Sequence, residues 1–245
     1  MTTVSVTESM ITKKSKEWSH KDPWSVKELI ALLLLTFVLV PWLIESRLQA
    51  LFEHLFHNSL YSGTLTGLVM GIIFTTGVYM IALLPKKMGW AEVGIRSFPR
   101  KYLISIAIWS FVLLAASVLI LYLMSLFGGS YENSKTESIQ SHISLFTVLI
   151  AVVSSGIVSP VYEEIFYRGF LYRWLRTRCG RGWASLLSSA IFMAAHIPTY
   201  NTLAISFSAG LIFAWTYENT KSVIPGMIVH GLTNTIFVLL TAAGQ

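Results

Sequence analysis

The stretch Val161-Tyr-Glu-Glu-Ile-Phe-Tyr-Arg-Gly-Phe170 sets two adjacent carboxylates and one guanidinium inside an apolar, aromatic run. An ionised side chain at the centre of a bilayer costs roughly 2.5–3.5 kcal/mol on insertion scales, so such groups are paired or kept for function. That cost arises only if the run lies in lipid, and composition decides that. Of 245 residues, 54% are hydrophobic and 12% charged, with a mean hydropathy of +0.63. A soluble domain carries about twice that share of charge, so the chain is expected to be an integral membrane protein.

Crossing a hydrocarbon core of about 30 Å takes about 20 apolar residues. Stretches of that kind fall at 28–44, 63–84, 102–127, 144–172, 183–196, 202–217 and 222–243. They predict an all-α, polytopic transmembrane helical bundle of about seven spans. It divides into a polar tail (1–27), N-terminal transmembrane helices (28–143) and a C-terminal core (144–245). The tail is too long for the charged head of a secretory signal, and no small-residue cleavage site follows the first apolar run, so it is expected to be retained.

Orientation follows from where Lys and Arg sit. Sixteen fall in the tail, in 84–101, in 168–181 and at Lys221, against two, Arg47 and Lys135, in the intervening loops. The N-terminus is therefore expected in the cytosol and the C-terminus outside. The same asymmetry accounts for the net charge of +6, so no nucleic-acid partner is implied; membrane lipid is the expected surrounding. A single cysteine, Cys179, excludes an intrachain disulfide and a multi-thiolate metal site. Trp18, Trp24, Trp42, Trp90 and Trp183, near span ends, read as interfacial anchors.

On a helix Glu164 and Arg168 are four residues apart and stack on one face in the favourable acid-then-base order. Glu163 lies about 100° away from Glu164, which leaves its carboxylate free to act as a general base. Further polar groups follow on later helices: His196 in Phe192-Met-Ala-Ala-His196, then His230 and Asn234, which share one helical face. If the basic segment Cys179–Gly182 turns a helical hairpin, Glu163 and His196 lie about 24 Å and 21 Å from it at 1.5 Å per residue. They then face each other at one level. His230 lies about 12 Å into its own helix, so all four groups converge only if the hairpin projects by roughly 10 Å.

In this order the motifs Glu163-Glu164-x-x-x-Arg168, Phe192-x-x-x-His196 and His230-x-x-x-Asn234 resemble those of the CPBP intramembrane proteases, the CAAX-protease and bacteriocin-processing (Abi) group. The resemblance covers residues 144–245. It implies a helical-bundle endopeptidase of the plasma membrane whose active site opens to the cytosol and whose substrate is a prenylated CAAX-like peptide, a bacteriocin leader or another membrane-associated peptide. Carried over to these positions, it implies that Glu163 and His196 activate water, that His230 and Asn234 stabilise the oxyanion, and that Arg168 holds Glu164 as a structural pair. No cofactor is favoured, although His196, His230 and Glu163 would also make a two-His, one-carboxylate set of the kind that binds catalytic zinc. Two other function classes stand beside this one. A non-catalytic scaffold or immunity factor needs none of these side chains, and a transporter with Glu163 as proton relay would be expected to show inverted repeats, which the sequence lacks.

Overall fold

The computed structural model describes residues 22–130, 132–140 and 143–244; the four lysines before Asp22, and Trp18, lie outside the described residues. Among the described residues all regular structure is helical. The helices are α1 (Val26–Phe56), α2 (Ser59–Lys86), α3 (Tyr102–Leu126), α4 (Ser134–Gln140), α5 (Leu145–Ala194), α6 (Leu203–Thr220) and α7 (Ile224–Ala243). Polar side chains set three of their starts. Ser25 and Glu28 form a capping box on α1, the Asn58 side chain accepts from Tyr61 N at the start of α2, and Ser144 accepts from Thr147 N at the start of α5.

Helix α5 is a hairpin. Gly180 has φ +78° and ψ 175°, a conformation that breaks the helix and that a residue with a Cβ avoids. The second arm, 181–194, folds back on the first, 145–179, and brings the Phe192 ring within 4.9 Å of Tyr167, centroid to centroid. The turn is the one the basic segment predicts. Helix α6 packs along the second arm, and α7 lies against both α5 and α3.

Five of these helices, α1, α2, α3, α5 and α7, are long and apolar enough to cross a membrane. The expected count of seven requires both arms of α5, and α6 as well, to cross. Large apolar side chains such as Ile72, Ile104, Phe111 and Leu145 stay exposed around the bundle, a surface that suits lipid and not water. Trp42 and Trp183 belong to it, but Trp24 does not. It is 2% exposed, donates from Nε1 to Ala82 O and packs on Phe170. The expectation of an interfacial anchor fails there because the chain before α1 tucks its indole under α2 and α5.

The hairpin projects beyond its neighbours. Gly169 lies directly against the Val93 backbone, and Val223 N donates to Gly94 O (2.9 Å), so the 84–101 loop, Gly169 and the start of α7 share one level. From Gly169 to Gly180 the first arm runs on for roughly 16 Å at 1.5 Å per residue. Its cations are held by carboxylates from three other segments. Arg173 pairs with Glu92, Arg178 with Asp22, and Arg176 with Glu218, which also receives Arg181, Lys221 and the Tyr172 hydroxyl. Burial lowers the pKa of Lys221, and the neighbouring Glu218 opposes that shift. Arg168 does not belong with these cations, because it is buried in the bundle.

Candidate active site

The first arm of α5 carries both glutamates where the helix changes pitch. Residues Val153–Val158 and Ile165–Tyr172 have π-helical turns, with the α-helical stretch Ser159–Glu164 between them. Such widenings recur at functional sites because they re-aim side chains relative to a regular 3.6-residue period. Helix α7 crosses this arm at close range. A Cβ on Gly231 would lie 2.2 Å from Gly156 O, and one on Gly156 would lie 2.3 Å from Thr235 Oγ1, so only glycines permit the approach. That contact sets His230 and Asn234 beside the glutamates.

Glu164 and Arg168 form the expected ion pair at 3.1 Å, both fully buried. The guanidinium also donates to Gly210 O at 3.2 Å and lies over the rings of Phe192 (4.6 Å) and Phe213 (5.0 Å). Glu163 points elsewhere. Its Oε1 accepts from the Ser159 hydroxyl, while Oε2 is buried and makes no hydrogen bond among the described residues. His230 sits between the two carboxylates, with Nε2 3.9 Å from Glu163 and Nδ1 3.5 Å from Glu164. Asn234 is anchored by Nδ2 to Ser155 O (2.9 Å).

His196, at the end of the second arm, has Nδ1 2.9 Å from Phe192 O. A carbonyl can only accept, so Nδ1 carries the proton and Nε2 is left to act as a base or to hold water. Phe192 makes edge contacts with both His196 (4.8 Å between centroids) and His230 (6.1 Å) and lies under Arg168. One aromatic ring therefore spaces three of the polar groups. Glu163, His196, His230 and Asn234 all line one cavity of about 330 Å³.

From Glu163 this cavity runs past Ser206 and Thr233 to α4 and to Thr199, Asn201 and Thr202. Its mouth is thus at the end of the bundle opposite the basic hairpin. Two sequence expectations cannot both hold on this geometry: if the arginines face the cytosol, the cavity does not open there. Helix heights place Glu163 and His196 at one level but carry no information about the end toward which that level is open. Cysteines placed in a Cys179→Ser background at Arg181 and Tyr200, which are 70% and 69% exposed at the two ends, should separate the cases. Charge asymmetry predicts that an impermeant thiol reagent labels Tyr200→Cys from outside intact cells and Arg181→Cys only after the inner face is opened. The reverse pattern would place the mouth in the cytosol and the N-terminus outside.

Residues 144–236 match the family described as Type II CAAX prenyl endopeptidase Rce1-like. The chain is 31% identical over 114 residues to YdiL, a supposed membrane peptidase of Bacillus subtilis (strain 168), an overlap of 46% of each chain. It is 28% identical over 180 residues to the membrane-embedded CAAX protease MroQ of Staphylococcus aureus (strain USA300), which covers 70% of this chain and 71% of that protein. The C-terminal part of the chain is thus similar to membrane-embedded CAAX proteases. No solved structure matches the chain. The matched region contains all three motifs, whereas α1 to α4, with the cavity-lining residues Leu113, Leu121 and Lys135, lie outside it.

Three features of this site have no counterpart in the three motifs. Ser159, four residues before Glu163 on the same face, fixes the carboxylate; the i, i+4 spacing is the signal in the sequence that could have found it. His230 faces Glu164 as well as Glu163, a contact between helices that no local pattern announces. Lys135 on α4 lines the cavity mouth. The sequence offered it only as one of two cations away from the basic loops.

Proposed function

We propose that this chain is an endopeptidase that hydrolyses a peptide bond of a membrane-associated substrate with water activated by Glu163. The observation that carries the reading is the convergence of Glu163, His196, His230 and Asn234 on one cavity enclosed by apolar helices. Water held between Glu163 Oε2 and His196 Nε2 loses a proton to the carboxylate as its oxygen attacks the carbonyl carbon. Asn234, through its remaining amide hydrogen, and His230, through Nε2–H when protonated, stabilise the oxyanion. Glu163 then returns the proton to the departing amine, so that one water is consumed and the carboxylate regenerated. Ser159 keeps Oε1 in place throughout.

Leu113, Leu121, Ile205, Phe213 and Phe237 supply apolar walls, which fit a hydrophobic or lipidated peptide better than a charged one. A prenylated CAAX-like peptide is of this kind, and the name of MroQ is that of a CAAX protease; a bacteriocin leader is the alternative substrate. The decisive experiment compares new peptide termini in the native membrane proteome with wild type and with Glu163→Ala. Termini present only with wild type are expected. Identical sets would end the protease reading and favour a scaffold or immunity role.

The chemistry is read as metal-free. In this scheme Glu163 Oε2 and His196 Nε2, the atoms that the hydrogen bonds to Ser159 and Phe192 O leave open, hold the water, and His230 Nδ1 lies against Glu164. A strong chelator should therefore leave turnover unchanged, while Asn234→Ala should lower it by about 10²–10³-fold through the loss of an oxyanion donor. Stoichiometric zinc that leaves together with activity on chelation would make His196, His230 and Glu163 ligands instead.

A further inference from the structure

Beside the cavity lies a second one of about 310 Å³, between α1, α2, α4 and the first arm of α5. Its mouth is at the same end of the bundle, near exposed Glu53, Ser59 and Lys135, and it narrows inward to buried Ser155 and Tyr162. Its walls carry an unusual load of hydroxyls for the interior of an apolar bundle: Ser59 and Thr64 of α2 face Ser154, Ser155 and Ser159 of α5. Polar side chains at membrane depth are retained where they pair or line a water-filled cavity. Ser154, whose Oγ lies 3.5 Å from where a Cβ on Gly67 would stand, faces α2 across the groove.

The two cavities meet. Ser134, Lys135, Ile139 and Ser159 line both, and Ser159 is the residue whose hydroxyl holds the Glu163 carboxylate. One side of Ser159 therefore faces the reaction centre and the other faces the hydroxyl-lined groove. Hydrolysis consumes one water per turnover, yet a hydrophobic substrate seated in the apolar-walled cavity blocks the route by which water would arrive. We propose that the groove between α2 and α5 is a separate aqueous path that delivers water past Ser159 to Glu163 while the substrate occupies the first cavity. This rests on the hydrolytic reading and specifies the supply of its second substrate.

The test uses the full chain in nanodiscs, with Cys179→Ser as background. Gly63 borders the groove with open space where its Cβ would stand, so Gly63→Trp can fill the mouth without displacing a neighbour; Gly63→Ala is the size control. Gly63→Trp is expected to lower kcat by about tenfold or more with KM within about threefold, because substrate binding is untouched; Gly63→Ala should behave as wild type. In parallel, Ser154→Cys should react with a small charged thiol reagent. Saturation with an uncleaved peptide on a Glu163→Gln background should leave that reaction unaffected, whereas Gly63→Trp should block it.

Each alternative outcome overturns the path. An unreactive Ser154→Cys means that the groove is dry. Protection by peptide makes the groove a substrate subsite, and an unchanged kcat in Gly63→Trp with thiol access blocked means that water arrives another way. Absence of hydrolysis by wild type would be the separate failure of the protease reading, and thiol access would still report whether the groove holds water.

Discussion

Glu163→Gln should abolish peptide hydrolysis, by about 10⁴-fold or more as for other members of a catalytic unit, while leaving the folded protein within about 1 kcal/mol of wild type, the range of mild substitutions. The amide matches the carboxylate in shape and can still accept from Ser159 through its oxygen, so the cavity wall keeps its packing. It cannot take a proton from water, and the general-base step is lost. The measurement pairs turnover with thermal unfolding in detergent. A variant that keeps a tenth of wild-type turnover would remove Glu163 from the chemistry. One that loses activity only because it unfolds would make the residue structural.

Arg168→Leu should have the opposite signature, a loss of stability of about 3–5 kcal/mol, the range seen when one partner of a buried ion pair is removed. Without the guanidinium, Glu164 would face His230 and Gly226 as a fully buried charge with no permanent counter-ion. Leucine fills part of the volume over Phe192 and Phe213, so the loss is electrostatic more than steric. Arg168→Lys should recover only part of it, since an ammonium cannot pair with Glu164, donate to Gly210 O and lie flat over two rings together. The double change Arg168→Leu with Glu164→Leu removes both charges and should be more stable than the single one. A single variant that unfolds within about 1 kcal/mol of wild type would show that the pair does not hold the bundle.

The two predictions differ because the two neighbouring carboxylates have different surroundings, and that difference was partly legible in the chain. Four-residue spacing assigned Arg168 to Glu164, and helical phase set Glu163 apart. Both follow from local geometry that any helix imposes. Phase alone could not show that π-helical turns flank the pair or that Ser159 holds the free carboxylate.

The sequence by itself determined that the chain is a membrane-embedded helical protein, because apolar runs of spanning length leave no other way to satisfy the backbone in lipid. It also pointed to a hairpin at Cys179–Gly182, through the basic residues around it, and hence to a shared level of Glu163 and His196. Tertiary structure alone decided what surrounds them. Gly156 against Gly231 lets α7 come close enough for His230 to stand between both glutamates, and the Phe192 ring spaces the two histidines under Arg168. It also decided which end of the bundle the cavity faces, since that depends on how α3, α4 and α6 leave a gap above Glu163. Periodicity and charge counts act along one helix at a time, whereas a cavity is made by the failure of several helices to touch.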